Sequence, residues 1–411
     1  LVRAPNEGDD LAASLNGRGR EAVFALIRRR DQTTRTAVAA ACGLGKSQVS
    51  DIVAGLLADG LVREVGRQQE GRGRSRVVLE LNASAQLVLG AQLDDDQCVA
   101  VLTDLQARPQ AMETVGISGT RPEDFVQALA TAVERLRVQA ASPILGLGVG
   151  TPGSLDTAGR RIRVSVPHGW RDVPIADLVE ARVGLPVRVA NRAKVAVLGE
   201  HWHGRAQGIQ DVAYVFAGNG IIAGLLVGGK LYVGAGGAGE LGHVTVLPDG
   251  PICDCGNRGC LHTLASGAAI VRLAHAKARE GEETLLRTLP MGGLGALTLD
   301  DVLAAARRGD QTALAAVAVA ATYLGIAIAN LVSLMHPQMV VIGGPIGRLG
   351  EPAVAVIRRE VQRRVLGNLL PDLEILPTAL GDEAGAIGAA AYFLDQLPSF
   401  AFKRETASSG T

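Results

Sequence analysis

From residue 86 onward the chain is built of short apolar runs that stop at glycine, and this punctuation limits the folds open to it. LVLGAQL (Leu87–Leu93), CVAVLTDL (Cys98–Leu105), ILGLGVG (Ile144–Gly150), LPVRVAN (Leu185–Asn191), VAYVFAG (Val212–Gly218) and MVVIGG (Met339–Gly344) have the length and composition of strands. Between them apolar residues recur at three- and four-residue steps. Glu123–Gln139 aligns Phe125, Val126, Leu129, Val133 and Leu136 on one helical face, and Gln311–Met335 and Ala353–Val365 read the same way. EILPTAL (Glu374–Leu380) and a terminal helix beginning near Ala384 close the series. Strands alternating with helices define an α/β protein with ligand sites at strand C-termini. The series runs twice, so two α/β halves and a cleft between them are expected. Halves that close over a ligand can signal to an attached domain.

Aromatic residues make up 3% of the chain and glycines number 52, so the core must be aliphatic, with many tight turns. The most apolar stretch, Thr312–Leu334, carries Tyr323, Asn330 and Ser333 and reads as a buried helix rather than a membrane span. The first ten residues are polar and acidic, without a basic-then-apolar signal segment, so the cytoplasm is the expected compartment. Formal net charge is zero, and any affinity for nucleic acid must rest on local charge.

The first eighty residues supply such a region. RGREAVFALIRRR (Arg18–Arg30) suits a helix, with Val23, Phe24, Leu26 and Ile27 inward. Thr34 or Thr36 can cap a second helix through Ala41, which Gly43 ends. Val49, Ile52, Val53, Leu56 and Leu57 give a third helix, stopped at Gly60; its other face carries Lys46, Ser47, Gln48, Ser50 and Asp51 near the helix start. Two strand-like stretches, Leu61–Val65 and Val77–Leu81, flank a loop containing Arg67, Arg72, Arg74 and Arg76 against the single Glu70. Residues 18–76 hold 12 Lys and Arg against six Asp and Glu. Three helices and a basic hairpin describe a winged helix-turn-helix; a small helical dimerisation domain with solvated charges is the alternative.

Three of the five cysteines, Cys253, Cys255 and Cys260, fall within eight residues of a Gly-rich turn, with His243 ten residues before the first. One imidazole and three thiolates suit a closed tetrahedral structural zinc site; three reduced cysteines in a loop are the plainer reading.

Taken together, GVGTPGSLD (Gly148–Asp156), GWRDVPI (Gly169–Ile175), GGAGELGHVTV (Gly236–Val246), CDCGNRGCL (Cys253–Leu261) and GDEAGAIGAA (Gly381–Ala390) resemble the ROK (repressor, open reading frame, kinase) family of sugar kinases and sugar-responsive regulators. The resemblance includes the amino-terminal GLGKSQVSDIVAGLLADGLVRE and implies an actin-like ATPase fold of the sugar kinase and ribonuclease H type. It implies residues 1–17 as a flexible N-terminus and 18–82 as the winged helix domain. Residues 83–400 then form a kinase-like domain (one lobe of about 83–195 plus the terminal helix, the other of about 196–380), and 401–411 a flexible tail. It further implies that His243, Cys253, Cys255 and Cys260 hold Zn²⁺, and that Asn191, Glu240 and His243 contact sugar hydroxyls.

Two departures bear on activity. Family kinases place an acidic residue, two glycines and a threonine in the first hairpin, where this chain has GAQLDDD (Gly90–Asp96). They also open a helix with Asn-Asp, the Asp serving as base; here the pair is Asn191–Arg192. A guanidinium stays protonated and cannot take a hydroxyl proton. The glutamate expected after Cys260–Leu261 is His262. With two acidic contacts replaced by basic or neutral ones, Arg192 and His262, the pocket points to an anionic effector, a sugar phosphate or sugar acid. A neutral sugar, or no effector at all, are the other readings. His201 and His203, beside Trp202, are expected to pack rather than bind.

The expected protein is a DNA-binding regulator of carbohydrate genes, acting as a homodimer or homotetramer on a palindromic site in double-stranded DNA. Lys46, Ser47, Gln48 and Ser50 would enter the major groove or grip phosphates, and Arg72, Arg74 and Arg76 would reach phosphates or the minor groove. An active kinase with an unrecognised base, and a metabolite sensor working through protein contacts, are the alternatives.

Overall fold

A computed structural model describes residues 19–30, 32–68, 75–280, 283–290 and 292–396. The two termini expected to be flexible, and the part of the wing loop bearing Arg72 and Arg74, lie outside the described residues.

The amino-terminal headpiece contains α1 (Gly19–Arg29), α2 (Arg35–Cys42) and α3 (Lys46–Ala58). Its centre is Val23, Ile27, Val38, Val49, Val53, Leu56 and Leu79, all buried. Thr34 caps α2, its hydroxyl accepting from the Ala37 amide at 3.3 Å, and Gly43 ends the helix in the left-handed region at φ 64°. A small sheet, ordered β1-β3-β2, joins β1 (Thr33–Thr34), β2 (Val62–Gln68) and β3 (Arg76–Leu81). Strand β2 runs three residues past the expected end. Pairing sets Arg67 opposite Val77 and Gln68 opposite Arg76, so the backbone ladder holds polar residues that hydrophobic alternation leaves unassigned.

Two five-stranded sheets follow. The first is ordered β11-β7-β4-β5-β6, from β4 (Leu87–Leu93), β5 (Gln97–Thr103), β6 (Pro109–Gly116), β7 (Ile144–Thr151) and β11 (Val187–Asn191). The second is ordered β14-β13-β12-β15-β16, from β12 (Val212–Ala217), β13 (Ile221–Val227), β14 (Lys230–Leu231), β15 (Met339–Gly343) and β16 (Glu374–Pro377). Each is an antiparallel meander extended by two parallel strands, so the duplication legible in the sequence is a duplication of topology. Periodicity did not reveal the small sheet of β8 (Ser154–Leu155), β9 (Ile162–Ser165) and β10 (Trp170–Val173), or helix α5 (Ile175–Val183), which are too short to show a period.

Helix α4 (Pro122–Val138) covers the first sheet with Phe125, Leu129, Val133 and Leu136 fully buried. On the second lobe, α10 (Gln311–Met335) is long and apolar enough to cross a bilayer by length and composition, but most of its apolar window is buried inside the lobe. Between the lobes lie α6 (Arg192–His203) and the terminal helix α13 (Glu383–Asp395). A Cβ on Gly388 would stand 1.7 Å from the Val195 carbonyl oxygen, and one on Gly199 2.0 Å from that of Ala384, so the two backbones meet where only glycine fits. Helix α13 also lies on the first sheet: a Cβ on Gly148 would come within 1.8 Å of the Ala389 carbonyl oxygen.

Candidate functional site

Helix α3 begins at Lys46 after the N-cap Gly45, with no carboxylate in its first turn and no side chain capping it. Its N-terminal amides therefore offer positive partial charge beside Lys46. Lys46, Ser47, Gln48 and Ser50 are all exposed there, while Val49 and Val53 anchor the opposite face. Of the three wing arginines expected to contact DNA, Arg76 lies within the described residues and is exposed at the start of β3.

The cleft is lined from both lobes. Strand β11 delivers Asn191 and Arg192 to the start of α6, where the Asn191 side chain accepts from the Ala193 amide at 2.9 Å and donates to the Gly153 carbonyl at 2.8 Å. Arg192 is buried, its guanidinium 4.0 Å above the Phe216 ring and its Nη1 3.5 Å from Asp94 and 3.3 Å from Asp95. Arg192, whose charge pointed to an anionic ligand in the sequence, thus already has carboxylate partners. The first-hairpin carboxylates already neutralise this guanidinium, across 98 and 97 positions of sequence. Asp94 also accepts twice from the Gln92 amide, and burial pushes its carboxyl up to about 6, with Arg192 opposing that rise. Asp95 faces His168 Nε2 at 3.4 Å, and His168 in turn shares a 2.9 Å hydrogen bond with Ser165.

Lys194 is a cleft residue that motif reading missed. It sits on the first turn of α6, is buried, and donates to the Gly236 carbonyl at 2.6 Å. Burial lowers its pKa and raises that of Glu240, and each charge opposes the other's shift. Its place on the first turn of a helix that starts at the cleft was the available signal.

A His–Cys cluster that could hold a metal begins three residues after Glu240. His243 Nδ1 lies 3.8 Å from Cys253 Sγ, Cys255 and Cys260 Sγ are 3.7 Å apart, and the four donor atoms fall within 4.8 Å of one another. Tetrahedral metal bonds of about 2.0–2.3 Å demand donor separations of roughly 3.3–3.8 Å; the 3.7 and 3.8 Å pairs meet that range, and the wider separations, up to 4.8 Å, would close by about 1 Å around an ion. The turn is tight because Gly259, at φ 68°, packs where a Cβ would sit 1.6 Å from the Leu247 carbonyl oxygen. His262 stacks near His243, ring centroids 6.0 Å apart. Since Nδ1 of His243 faces the thiols, its Nε2 remains for a ligand. His201 and His203 bind backbone carbonyls of Ala206 and Gln106, at 3.2 and 2.9 Å, in keeping with a packing role.

Two sheets of one strand order around a cleft, preceded by a small helical headpiece, define a two-lobed sugar-kinase-like protein of the actin-like ATPase fold. A ROK family glucokinase from Streptomyces griseus, solved with glucose and AMPPNP, superposes with a TM-score of 0.69 at 32% identity, covering 74% of this chain and 98% of that one. The chain belongs to the ROK family, whose pattern matches residues 89–396. A ROK family transcriptional regulator, homologous to the E. coli MLC protein, superposes with a TM-score of 0.77 at 26% identity over 96% of this chain and 97% of that one. The xylose repressor of Caldicellulosiruptor bescii is 29% identical over 372 residues, 89% of this chain and 93% of the relative.

Proposed function

We propose that this chain is a sugar-responsive transcriptional repressor of carbohydrate genes, with a winged helix-turn-helix headpiece and a cleft that binds a sugar without phosphorylating it. The observation that carries the reading is the extent of likeness: it runs through the headpiece for the regulators and stops short of it for the glucokinase. Lys46, Ser47, Gln48 and Ser50 would read or grip the major groove, and Arg72, Arg74 and Arg76 the backbone or minor groove beside it. A homodimer or homotetramer would set two headpieces on a palindromic operator in double-stranded DNA. His243, Cys253, Cys255 and Cys260 would hold a structural Zn²⁺, which supplies rigidity to the loop carrying Glu240 and His243.

Arg192 supports the loss of kinase activity. Even if a base were supplied elsewhere, a buried guanidinium paired with Asp94 and Asp95 fills the first hairpin where a nucleotide phosphate would need room. Losing the base alone costs about 10²- to 10⁴-fold in rate. The cleft also opposes an anionic effector: Arg192 and Lys194 face Asp94, Asp95 and Glu240, two cations against three carboxylates. A neutral sugar, whose hydroxyls donate to Glu240 and accept from Lys194, is the better match. Asn191, His243 and His262 would complete its shell.

Selection of genomic fragments by the purified chain, with and without D-xylose or D-glucose, tests the regulator reading. Lys46→Ala is expected to weaken DNA binding across sequences and to reduce the salt slope by about one. Calorimetry with these sugars, glucose 6-phosphate and gluconate tests the effector; tight binding of the anions alone would reverse the charge argument. ATP-dependent phosphorylation of either sugar at ordinary kinase rates would refute the non-enzymatic reading.

A further inference from the structure

We infer that Arg28 is the contact through which the cleft and the headpiece sense each other, acting on the glycine-fastened pair α6–α13 as a lever. The inference concerns the regulation of the function just proposed and rests on that reading. Arg28 belongs to the last turn of α1, in the headpiece, but its side chain is buried against the kinase-like domain. Its Nη2 lies 2.6 Å from Asp395, and its guanidinium carbon stands 4.8 Å from the centroid of Trp202. Trp202 is near the C-terminal end of α6 and Asp395 is the last residue of α13. One headpiece side chain therefore holds the same end of both helices.

The other ends of those helices are in the cleft. Helix α6 starts at Arg192, paired with Asp94 and Asp95, and places Lys194 within its first turn. Helix α13 starts beside Asp382, which pairs with Arg348 of the second lobe at 2.5 Å. The pair moves as one body because Gly199 and Gly388 bring the backbones into contact, leaving no side chains between them to yield. A change in the angle between the lobes tilts this body, and the tilt reaches the headpiece at Arg28.

Arg28 is also built unlike a simple structural clamp. Its Nε and Nη1 are buried and find no acceptor among the described residues. A cation left with two idle donors is short of its best pairing, and a contact of that kind can give way to a second arrangement. Neighbouring Arg29 reaches the same carboxylate at 3.6 Å from an exposed position, so Asp395 keeps a charged partner when Arg28 shifts.

Arg28→Met in the full chain tests the lever, since it keeps bulk against Trp202 and removes the charge. Hydrogen exchange without ligand is the first measurement. Altered protection at residues 192–196 and 383–387, the far ends of the helices, is expected; a change confined to α1 and its immediate neighbours would overturn the inference. The second measurement is DNA affinity for the gene's own upstream fragment, with and without saturating D-xylose or D-glucose. Wild type is expected to change affinity by about 5- to 150-fold on sugar binding, and Arg28→Met by less than about twofold, with sugar affinity unchanged. A full response in Arg28→Met would also overturn it. Wild type that binds no DNA would instead refute the regulator reading, while the exchange measurement still judges the lever. Asp395→Asn, which leaves the indole contact in place, should reproduce the exchange change if folding of the first variant is impaired.

Discussion

Arg192→Met is the substitution that most directly examines the cleft. In the folded chain it removes a guanidinium 3.5 Å from Asp94 and 3.3 Å from Asp95 and leaves both carboxylates largely out of water without a cation. Unit charges about 4 Å apart interact by roughly 4 kcal/mol at an effective dielectric of about 20. Removing one member of a buried pair generally costs about 3–5 kcal/mol, because the survivor stays desolvated. Asp95 retains partial access to solvent, so the lower end applies. Loss of the cation over Phe216, offset by the packing of the methionine thioether, changes this little. A loss of about 3 kcal/mol is therefore expected, equivalent to about 4–5 °C in the melting temperature of a domain the size of the kinase-like one.

The control is Asp94→Asn. Alone, it leaves Arg192 with Asp95 and should cost little. In the Arg192→Met background it removes a charge that has lost its partner, and should return about half of the lost stability. The double-mutant cycle from thermal or urea unfolding then gives a coupling of at least about 1 kcal/mol. Two outcomes would refute the reasoning: Arg192→Met as stable as wild type, or a coupling indistinguishable from zero. Either would mean that Arg192 is not held by these carboxylates in solution, and an anionic effector would regain its case.

Two further predictions follow from the same residues. Asp94 holds its proton up to a pH of about 6 when folded, against 3.8 ordinarily, so its contribution to stability is complete below about pH 4 and falls away as pH rises through 6. That slope, worth about 3 kcal/mol, should be absent from Asp94→Asn in unfolding curves between pH 4 and 6, and an unchanged slope would place the titration elsewhere. Metal analysis of the purified chain is expected to give one zinc per chain, and Cys253→Ser none, with faster proteolysis within 244–262 but intact DNA binding; a zinc-free wild type resisting protease equally would remove the metal from the account.

How much of this was open to the sequence depended on range. Helix α10 matched its expected bounds because 25 residues carry a clear period, and Thr34 and Gly43 bracket α2 through local chemistry that leaves a mark in the sequence. The His243–Cys253–Cys255–Cys260 cluster was legible because three of its four residues fall within eight positions of a Gly-rich loop. The small β8–β10 sheet was not, since strands of two to four residues hold no period to detect. Lys194 and Arg28 escaped for a different reason. Their importance comes from what they touch, Gly236 in one case and Trp202 with Asp395 in the other, and such partners are fixed by the tertiary fold alone.

Arg192 shows the same limit with more consequence. Read singly, an arginine in place of a base and a run of aspartates in place of a glycine turn are two lesions in a kinase, and a decayed pocket would account for both. Placed together, they are one feature. Each would leave a buried charge uncompensated without the other, at a cost comparable to a sizeable share of a domain's stability. Unconstrained drift has no reason to balance charge across the cleft, whereas a cleft required to remain folded and closable does. The pairing thus favours a pocket still in use over an abandoned one. On the proposed reading, with the first hairpin holding its own ion pair, a sugar would sit beside Lys194, Glu240 and His243.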